Sequence, residues 1–242
     1  MASISVVLPA YNEEANVPRT VANVVEALAG LFDDYEIIVV DDGSRDRTAE
    51  VALALGDANP RLRLVRHEVN KGYGAALYTG FRSARKDLVF MTDSDAQFDV
   101  REIRRLLPLL DGADLAIGYR DPRRDPWHRL LYARGWNMLI TLLFGYIARD
   151  VDCAFKLFRR QILDDFDVQS RGATFSTEFL VRAKRTGHRI REVGVTHLPR
   201  RAGKPTGGRL DVVIRAFKEL IRFRWRLATE PKRLVRFREG TK

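Results

Sequence analysis

The sequence predicts an α/β fold built on a mostly parallel central sheet. Short apolar runs such as Ile4 to Leu8, Tyr35 to Val40 and Leu88 to Met91 read as strands buried on both faces, as parallel strands are. Between them lie segments of helical periodicity, so strand and helix alternate as in successive βαβ units. Acidic or glycine-bearing turns leave the strands or open the helices, which gathers several of them along one edge of the sheet.

The elements follow in order. The strand Ile4 to Leu8 ends in the turn Pro9-Ala10-Tyr11-Asn12-Glu13. A helix from about Glu14 to Leu31 carries Val17, Val21, Val24, Val25 and Leu28 on one stripe. The strand Tyr35 to Val40 leaves through Asp41-Asp42-Gly43-Ser44, and Asp46 suits the N-cap of a helix over Thr48 to Leu55. Leu62 to Val65 makes a third strand, and Asn70-Lys71-Gly72-Tyr73-Gly74 opens a helix carrying Ala75, Ala76, Leu77 and Ala84. The strand Leu88 to Met91 precedes a helix over Val100 to Leu109 and a strand over Asp114 to Ile117. The second half is less regular. Trp127 to Ala148 is a long apolar helical segment interrupted by Arg129, Arg134 and Gly135. A short strand over Cys153 to Phe158, a helix over Ser176 to Arg185 and a strand over Arg189 to Val193 lead to a basic loop, Arg200 to Gly208.

Composition narrows the class. With 242 residues, 45 % of them hydrophobic, the chain supports one sizeable domain with a real core. A lone cysteine, Cys153, excludes an internal disulfide framework and suits a reducing compartment. Met1 to Pro9 lacks the pattern of a signal peptide, and the longest uncharged apolar stretch, Gly135 to Ala148, falls short of the roughly 18–20 residues of a membrane span. The expected location is cytoplasmic, peripheral at the cytoplasmic face of a membrane. The expected organisation is a domain over 1–208 and a basic amphipathic helix in a tail over 209–242. That tail holds eleven Lys/Arg against four Asp/Glu, so +7 of the net +10 lies there. Such a segment calls for an anionic partner, a membrane surface or a membrane protein. Nucleic acid is a remote alternative, because no nucleic-acid-binding motif accompanies the charge.

The turns carry the chemistry. Asp93 and Asp95 follow a buried strand, and alternation points both to one side, with Ser94 facing away and Gln97 in phase. Two carboxylates and an amide oxygen, completed by a diphosphate, suit Mg²⁺ or Mn²⁺; the same residues also suit the start of a helix. Asp41 and Asp42 can accept hydrogen bonds from a base or ribose, or simply close a turn. Gly72-x-Gly74 matches only part of a dinucleotide fingerprint, since Leu77 holds the third glycine's place. His67, His128, His188 and His197 show no metal-ligand spacing.

Taken together, Pro9 to Glu13, Asp41 to Ser44, Asn70 to Gly72 and Asp93 to Asp95 resemble the family-2 glycosyltransferases over roughly residues 3 to 208. The resemblance implies a GT-A fold and an inverting, metal-dependent transfer from a nucleotide-diphosphate sugar. It places Pro9, Tyr11, Glu13, Asp41, Asp42 and Lys71 at the donor, and Asp93 and Asp95 at the metal. Gly118-Tyr119-Arg120 and Ala133-Arg134-Gly135 are similar to the acceptor region of the polyprenyl-phosphate branch, that of the dolichyl-phosphate mannose synthases. There the matching arginines hold a lipid phosphate. Gln97 matches that branch's further metal ligand. Asp152 to Leu157 resembles its segment that runs from an Asp to Phe-Lys-Leu, with Cys153-Ala154 replacing the Ser-Gly before the Phe. Arg200-x-x-Gly203-x-Pro205 resembles the loop over the donor diphosphate, with Pro205 replacing Ser.

A phosphate monoester, already about −1.5 to −2 at pH 7, attacks without a general base. It needs cations beside it, which Arg120, Arg134 and Arg200 supply. A hydroxyl acceptor on a soluble sugar or glycan would need a base, and Asp152 and Glu178 are the candidates. Glu178 also suits the opening of a helix, and Arg134 a snorkelling surface position. The expected partners are therefore a nucleotide sugar, with a UDP-sugar favoured and GDP-mannose possible, and a polyprenyl phosphate. Leu130, Leu131, Met138, Leu139, Leu142, Leu143 and Phe144, with Val212, Val213, Phe217, Leu220, Ile221 and Trp225 of the tail, are the apolar residues expected to meet the lipid; the tail also suits an amphipathic helix packed on the domain with its basic face solvated.

Overall fold

Seven strands form one sheet in the order β3-β2-β1-β4-β6-β5-β7. The strands are β1 (Ile4–Ala10), β2 (Tyr35–Asp41), β3 (Leu62–Arg66), β4 (Leu88–Thr92), β5 (Leu115–Arg120), β6 (Phe155–Arg159) and β7 (Ile190–Val195). The helices are α1 (Val17–Leu28), α2 (Thr48–Ala58), α3 (Tyr73–Ser83), α4 (Ile103–Leu106), α5 (Trp127–Phe144), α6 (Phe175–Arg185) and α7 (Leu210–Thr229). The computed structural model describes residues 2–122, 127–199 and 210–230, with the side chains of 127–129 and 210–212 left aside. Arg200, the loop motif through Gly203 and Pro205, and the Val212 side chain lie outside the described residues.

β1 pairs in parallel with β2 on one side and β4 on the other, so the strand order reverses at β1. The carboxyl ends of β1 and β4 flank this switch point, where open α/β sheets bind ligands. Val6, Val7, Ile37, Ile38, Val39 and Phe90 are fully buried, as their β-branched and aromatic character suits a two-sided sheet. α3 lies directly on this layer: a Cβ at Gly80 would stand 2.3 Å from Val7 Cγ1. Phe81, Phe158 and Phe179 join α3, β6 and α6 through rings 5.0–5.5 Å apart. Burial of each is worth roughly 1.5–3 kcal/mol.

Apart from element ends, two elements differ from expectation. The helix foreseen over 100–109 is split: 3₁₀ turns at Val100–Glu102 and Leu107–Asp111 flank the single turn α4. Pro108 explains the break, because it has no N–H to donate and crowds the preceding turn. The strand foreseen after the long helix forms, but β6 runs antiparallel to both β4 and β5. Phe155 opens β6 opposite Thr92, the last residue of β4. The chain thus enters β6 at the carboxyl edge, which brings the preceding segment, Asp150 to Ala154, to the same edge as Asp93.

The tail is less separate than its charge suggested. Ala216, Leu220, Phe223 and Leu227 of α7 are buried, and Phe223 stacks on Phe144 of α5 at 5.2 Å.

Candidate active site

Three turns meet at the carboxyl edge and are bonded to one another. Asn12 adopts φ 55°, receives Arg45 N on its Oδ1 at 2.8 Å and donates its own N–H to Ser44 Oγ at 2.9 Å. Glu13 N donates to Thr48 Oγ1 at 2.8 Å, which ties the Pro9–Glu13 turn to the start of α2. Asp46 Oδ1 accepts Thr48 N at 3.0 Å, but from one position before the cap, which Arg47 occupies rather than the Asp46 expected there. Ser94 Oγ donates to the Pro9 carbonyl at 2.8 Å, and the Ser94 backbone carbonyl accepts from Thr20 Oγ1 at 3.0 Å.

The two acids after β2 have different surroundings. Asp42 is buried and accepts three hydrogen bonds from within the chain: Lys71 N at 2.9 Å, Gly72 N at 2.8 Å and His67 Nδ1 at 2.6 Å. Asp41 is fully buried; its Oδ1 accepts Ser44 N at 3.1 Å. Its Oδ2 lies 3.3 Å from Arg66 Nε without hydrogen-bond geometry. Asp41 Oδ2 is therefore buried with only the Arg66 charge beside it, whereas Asp42 holds the turn that opens α3. Pro9 is buried, Tyr11 and Glu13 are half-buried, and the Lys71 side chain is exposed.

Asp93 and Asp95 leave β4 half-buried. Tyr73 Oη donates to Asp93 Oδ1 at 2.9 Å, and Gln97 N donates to Asp95 Oδ1 at 3.1 Å across Ala96 at φ 57°. Burial, and then the negative charge of Asp95, push the Asp93 carboxyl up to about 7. Burial and Asp93 likewise raise the Tyr73 phenol well above its ordinary range. Two carboxylates whose charges oppose each other fit a divalent cation, which relieves that repulsion. Gln97 Nε2 donates to the Leu198 carbonyl at 3.0 Å, leaving Oε1 as the amide atom suited to a cation. Among the described residues no group of three or more His, Cys, Asp or Glu is placed to hold a metal. The remaining positions of a Mg²⁺ or Mn²⁺ shell would fall to ligand oxygens.

Beyond β5, the Arg120 guanidinium forks onto Asp150, with Nε–Oδ2 at 2.7 Å and Nη2–Oδ1 at 2.8 Å. Burial opposes its charge, but Asp150 outweighs this and raises its pKa. Asp150 was not legible as a site residue: it lies thirty positions from its partner, with no local pattern to mark it. Asp152 is exposed and within electrostatic reach of Arg120, Tyr73 and Lys156. Lys156 is buried, its Nζ donates to the Cys153 carbonyl, and burial lowers its pKa. The Cys153 thiol, also buried, is pushed up to about 12, which leaves it protonated and unreactive. Arg134 is exposed on α5.

Glu178 departs from the role of a base. It is fully buried, and both oxygens are engaged: Oε1 by Arg182 Nε at 2.8 Å and Gln169 N at 3.2 Å. Oε2 accepts Ser170 Oγ at 2.6 Å, Ser170 N at 2.9 Å and Arg226 Nη2 at 3.1 Å. The geometry makes it a clamp between α6, the 169–170 segment and α7. A general base needs a lone pair open to substrate, and these are spent.

This is a GT-A-like α/β domain, with a paired-acid turn at the switch point of its sheet. The chain belongs to glycosyl transferase family 2, whose model matches residues 5–166. It is 36 % identical over 212 residues to the polyprenol monophosphomannose synthase of Mycolicibacterium smegmatis, covering 82 % of this chain and 78 % of that protein. It is 33 % identical over 239 residues to glycosyltransferase AglD of Haloferax volcanii, covering 95 % of this chain but only 38 % of that protein. With the undecaprenyl-phosphate 4-deoxy-4-formamido-L-arabinose transferase of Aeromonas hydrophila it shares 32 % identity over 213 residues, 87 % of this chain and 64 % of that one. Of these three relatives, the chain therefore spans less than two thirds of two. In fold it is similar to glucosyl-3-phosphoglycerate synthase from Mycobacterium tuberculosis, solved with Mn²⁺ and UDP-glucose. The TM-score is 0.71 at 24 % identity, over 95 % of this chain and 80 % of that one.

Proposed function

We propose that the chain transfers a hexose, with inversion, from a nucleotide-diphosphate sugar to a polyprenyl phosphate, with Mg²⁺ or Mn²⁺ as cofactor. The observation that carries the reading is the opposed pair Asp93 and Asp95, within electrostatic reach of Arg120 at one sheet edge. A divalent cation held by Asp93, Asp95 and Gln97 supplies the positive charge that a departing diphosphate needs. Pro9, Tyr11, Glu13 and Asp41 are the residues assigned to the nucleoside. Lys71 and Arg200 lie in the segments assigned to the donor's phosphates. Arg120, held in place by Asp150, and Arg134 on α5 serve the incoming phosphate, a fit for guanidinium groups. A phosphate nucleophile needs no base, which agrees with the closed surroundings of Glu178. The names of the relatives, which act on polyprenol and undecaprenyl phosphate, support this acceptor class. The UDP-glucose complex of the structural neighbour favours UDP over GDP as donor base, and the mannose relative keeps GDP-mannose in view.

Radiolabelled sugar transfer from a panel of UDP- and GDP-sugars, with polyprenyl phosphate in detergent and EDTA as control, tests the reading. Label entering the lipid phase supports it; donor turnover with no lipid label sinks it. Arg134→Ala should raise the KM for polyprenyl phosphate about tenfold or more while nucleotide binding is unchanged. A hydroxyl acceptor on a soluble sugar or glycan is the second reading, favoured by the exposed carboxylate of Asp152. It requires that Asp152→Asn abolish transfer.

The same reading places the protein at the cytoplasmic face of a membrane, held peripherally. Among the described residues no helix is long and apolar enough to cross a bilayer. α7 nevertheless exposes Phe217, Ile221 and Trp225 beside Lys218, Arg222 and Arg224, and α5 exposes Leu131, Met138 and Leu142. Trp136 of α5 meets Phe217 edge-on at 5.4 Å, so the two helices share one apolar, basic-rimmed surface. Phe217→Glu with Trp225→Glu should weaken co-sedimentation with phosphatidylglycerol vesicles about tenfold or more. Equal sedimentation of both forms would exclude this docking face.

A further inference from the structure

His67 carries no role in the reading above, yet it is buried and bonded at both ring nitrogens. Nδ1 lies 2.6 Å from Asp42 Oδ1, and Nε2 lies 2.9 Å from Thr79 Oγ1 of α3. An ionised carboxylate cannot donate, so Nδ1 carries the proton toward Asp42. Its backbone N–H also donates to the Asp41 carbonyl at 2.9 Å, which fixes the ring's origin at the end of β3. The ring is thus a strut between the exit of β2 and the middle of α3.

We infer that His67 is a positioning residue for the donor site, acting through Asp42 on the turn Lys71-Gly72-Tyr73. The inference rests on the reading of this edge as a nucleotide-sugar site. Asp42 aims the turn by accepting the Lys71 and Gly72 N–H groups. The two N–H groups hold the carboxylate from the side of the turn, and His67 is the side chain that anchors it from the other side, against rotation with the turn. The turn has little slack of its own. A Cβ on Gly43 (φ 67°) would stand 2.5 Å from the Val69 carbonyl carbon, so the 41–44 and 69–72 segments touch backbone to backbone. The next residue, Tyr73, donates to Asp93. A swivelled Asp42 would therefore disturb Lys71 on one side and the metal-facing carboxylate on the other.

The two ring nitrogens separate positioning from packing. Asparagine places its amide N–H near the position of Nδ1 and keeps the Asp42 contact. Glutamine reaches the position of Nε2 and keeps only the Thr79 contact. The test is titration of UDP, and of GDP, in the presence of Mn²⁺ into wild type, His67→Asn, His67→Gln and His67→Ala, with donor KM and kcat from the transfer assay. His67→Asn should bind nucleotide within about threefold of wild type. His67→Gln and His67→Ala should lose about tenfold or more in affinity, the scale of one hydrogen bond to a charged group. The loss should appear in donor KM rather than in kcat, whereas thermal midpoints should fall in all three and most in His67→Ala, which loses both bonds and leaves a cavity. Equal affinity losses in all three variants, or none in any, would overturn the assignment and leave His67 a packing residue. Wild type that binds neither nucleotide overturns the donor reading itself, and this inference with it.

Discussion

Asp95→Ala yields a folded protein whose metal-dependent sugar transfer falls by roughly 10²–10³-fold or more, the scale of losing one preorganised electrostatic element of a site. The effect should persist at saturating donor and Mn²⁺, and binding of UDP should lose its dependence on the metal. Full activity in this variant would remove Asp95 from the metal site. Its neighbour Asp93 gives a second signature, in stability. The Asp93 carboxyl is held up to about 7 by burial and by the charge of Asp95, against an ordinary value near 4. A carboxyl with a raised folded-state pKa favours the fold at low pH, and that contribution is lost as pH rises toward and through 7. In EDTA, wild type should therefore be measurably less stable to urea at pH 8 than at pH 5 relative to Asp93→Asn, in which the contribution is absent. Parallel pH profiles for the two proteins would contradict the assigned repulsion.

The second large effect concerns Glu178. Removing this buried acid by Glu178→Ala strands Arg226, leaves Arg182 only its fork onto Glu230 and leaves the Gln169 and Ser170 N–H groups without their acceptor, at an expected cost of roughly 3–5 kcal/mol. Urea denaturation measures it directly. A clamp and a catalytic base make opposite predictions for Glu178→Gln. As a clamp, the variant loses stability while kcat, measured well below the unfolding transition, stays within a few-fold of wild type. As a base, it keeps its stability and loses kcat by about 10² or more. The clamp outcome is expected.

Much of this could be read from the chain alone because it depends on short-range pattern. Each strand lies within a few residues of its apolar run, and the bond from Thr48 N to Asp46 spans only two positions. The start of α1 was misjudged. Glu13 and Asn16 close a side-chain bond of 2.6 Å that keeps the backbone in a turn, so the helix opens only at Val17. The direction of β6 had no local signature, since an apolar run is the same read up or down. It is set by where the chain re-enters the sheet. The site divides in the same way. Asp93 and Asp95 follow directly on an apolar run and are marked by their position, but the roles of Asp42, His67 and Glu178 depend on groups 25, 12 and 48 positions away. Each residue type was visible, and which charges were already spent inside the fold was not. The tail shows this most plainly: of the apolar residues expected at lipid, Leu220 is buried in the core, while Phe217, Ile221 and Trp225 stay outside.

The bond from Ser94 to the Pro9 carbonyl, with those from Asn12 to Ser44 and Arg45, has a thermodynamic consequence. These links join the ends of β1, β2 and β4 in the free protein, so the loops that would otherwise need freezing around a ligand are frozen during folding. Ordering a backbone residue costs about 1–2 kcal/mol, and a nucleotide arriving at this edge is spared that charge for each residue so held. Affinity at such a site is decided by the contacts the ligand makes and the water it displaces, and much less by any shape the protein must still adopt.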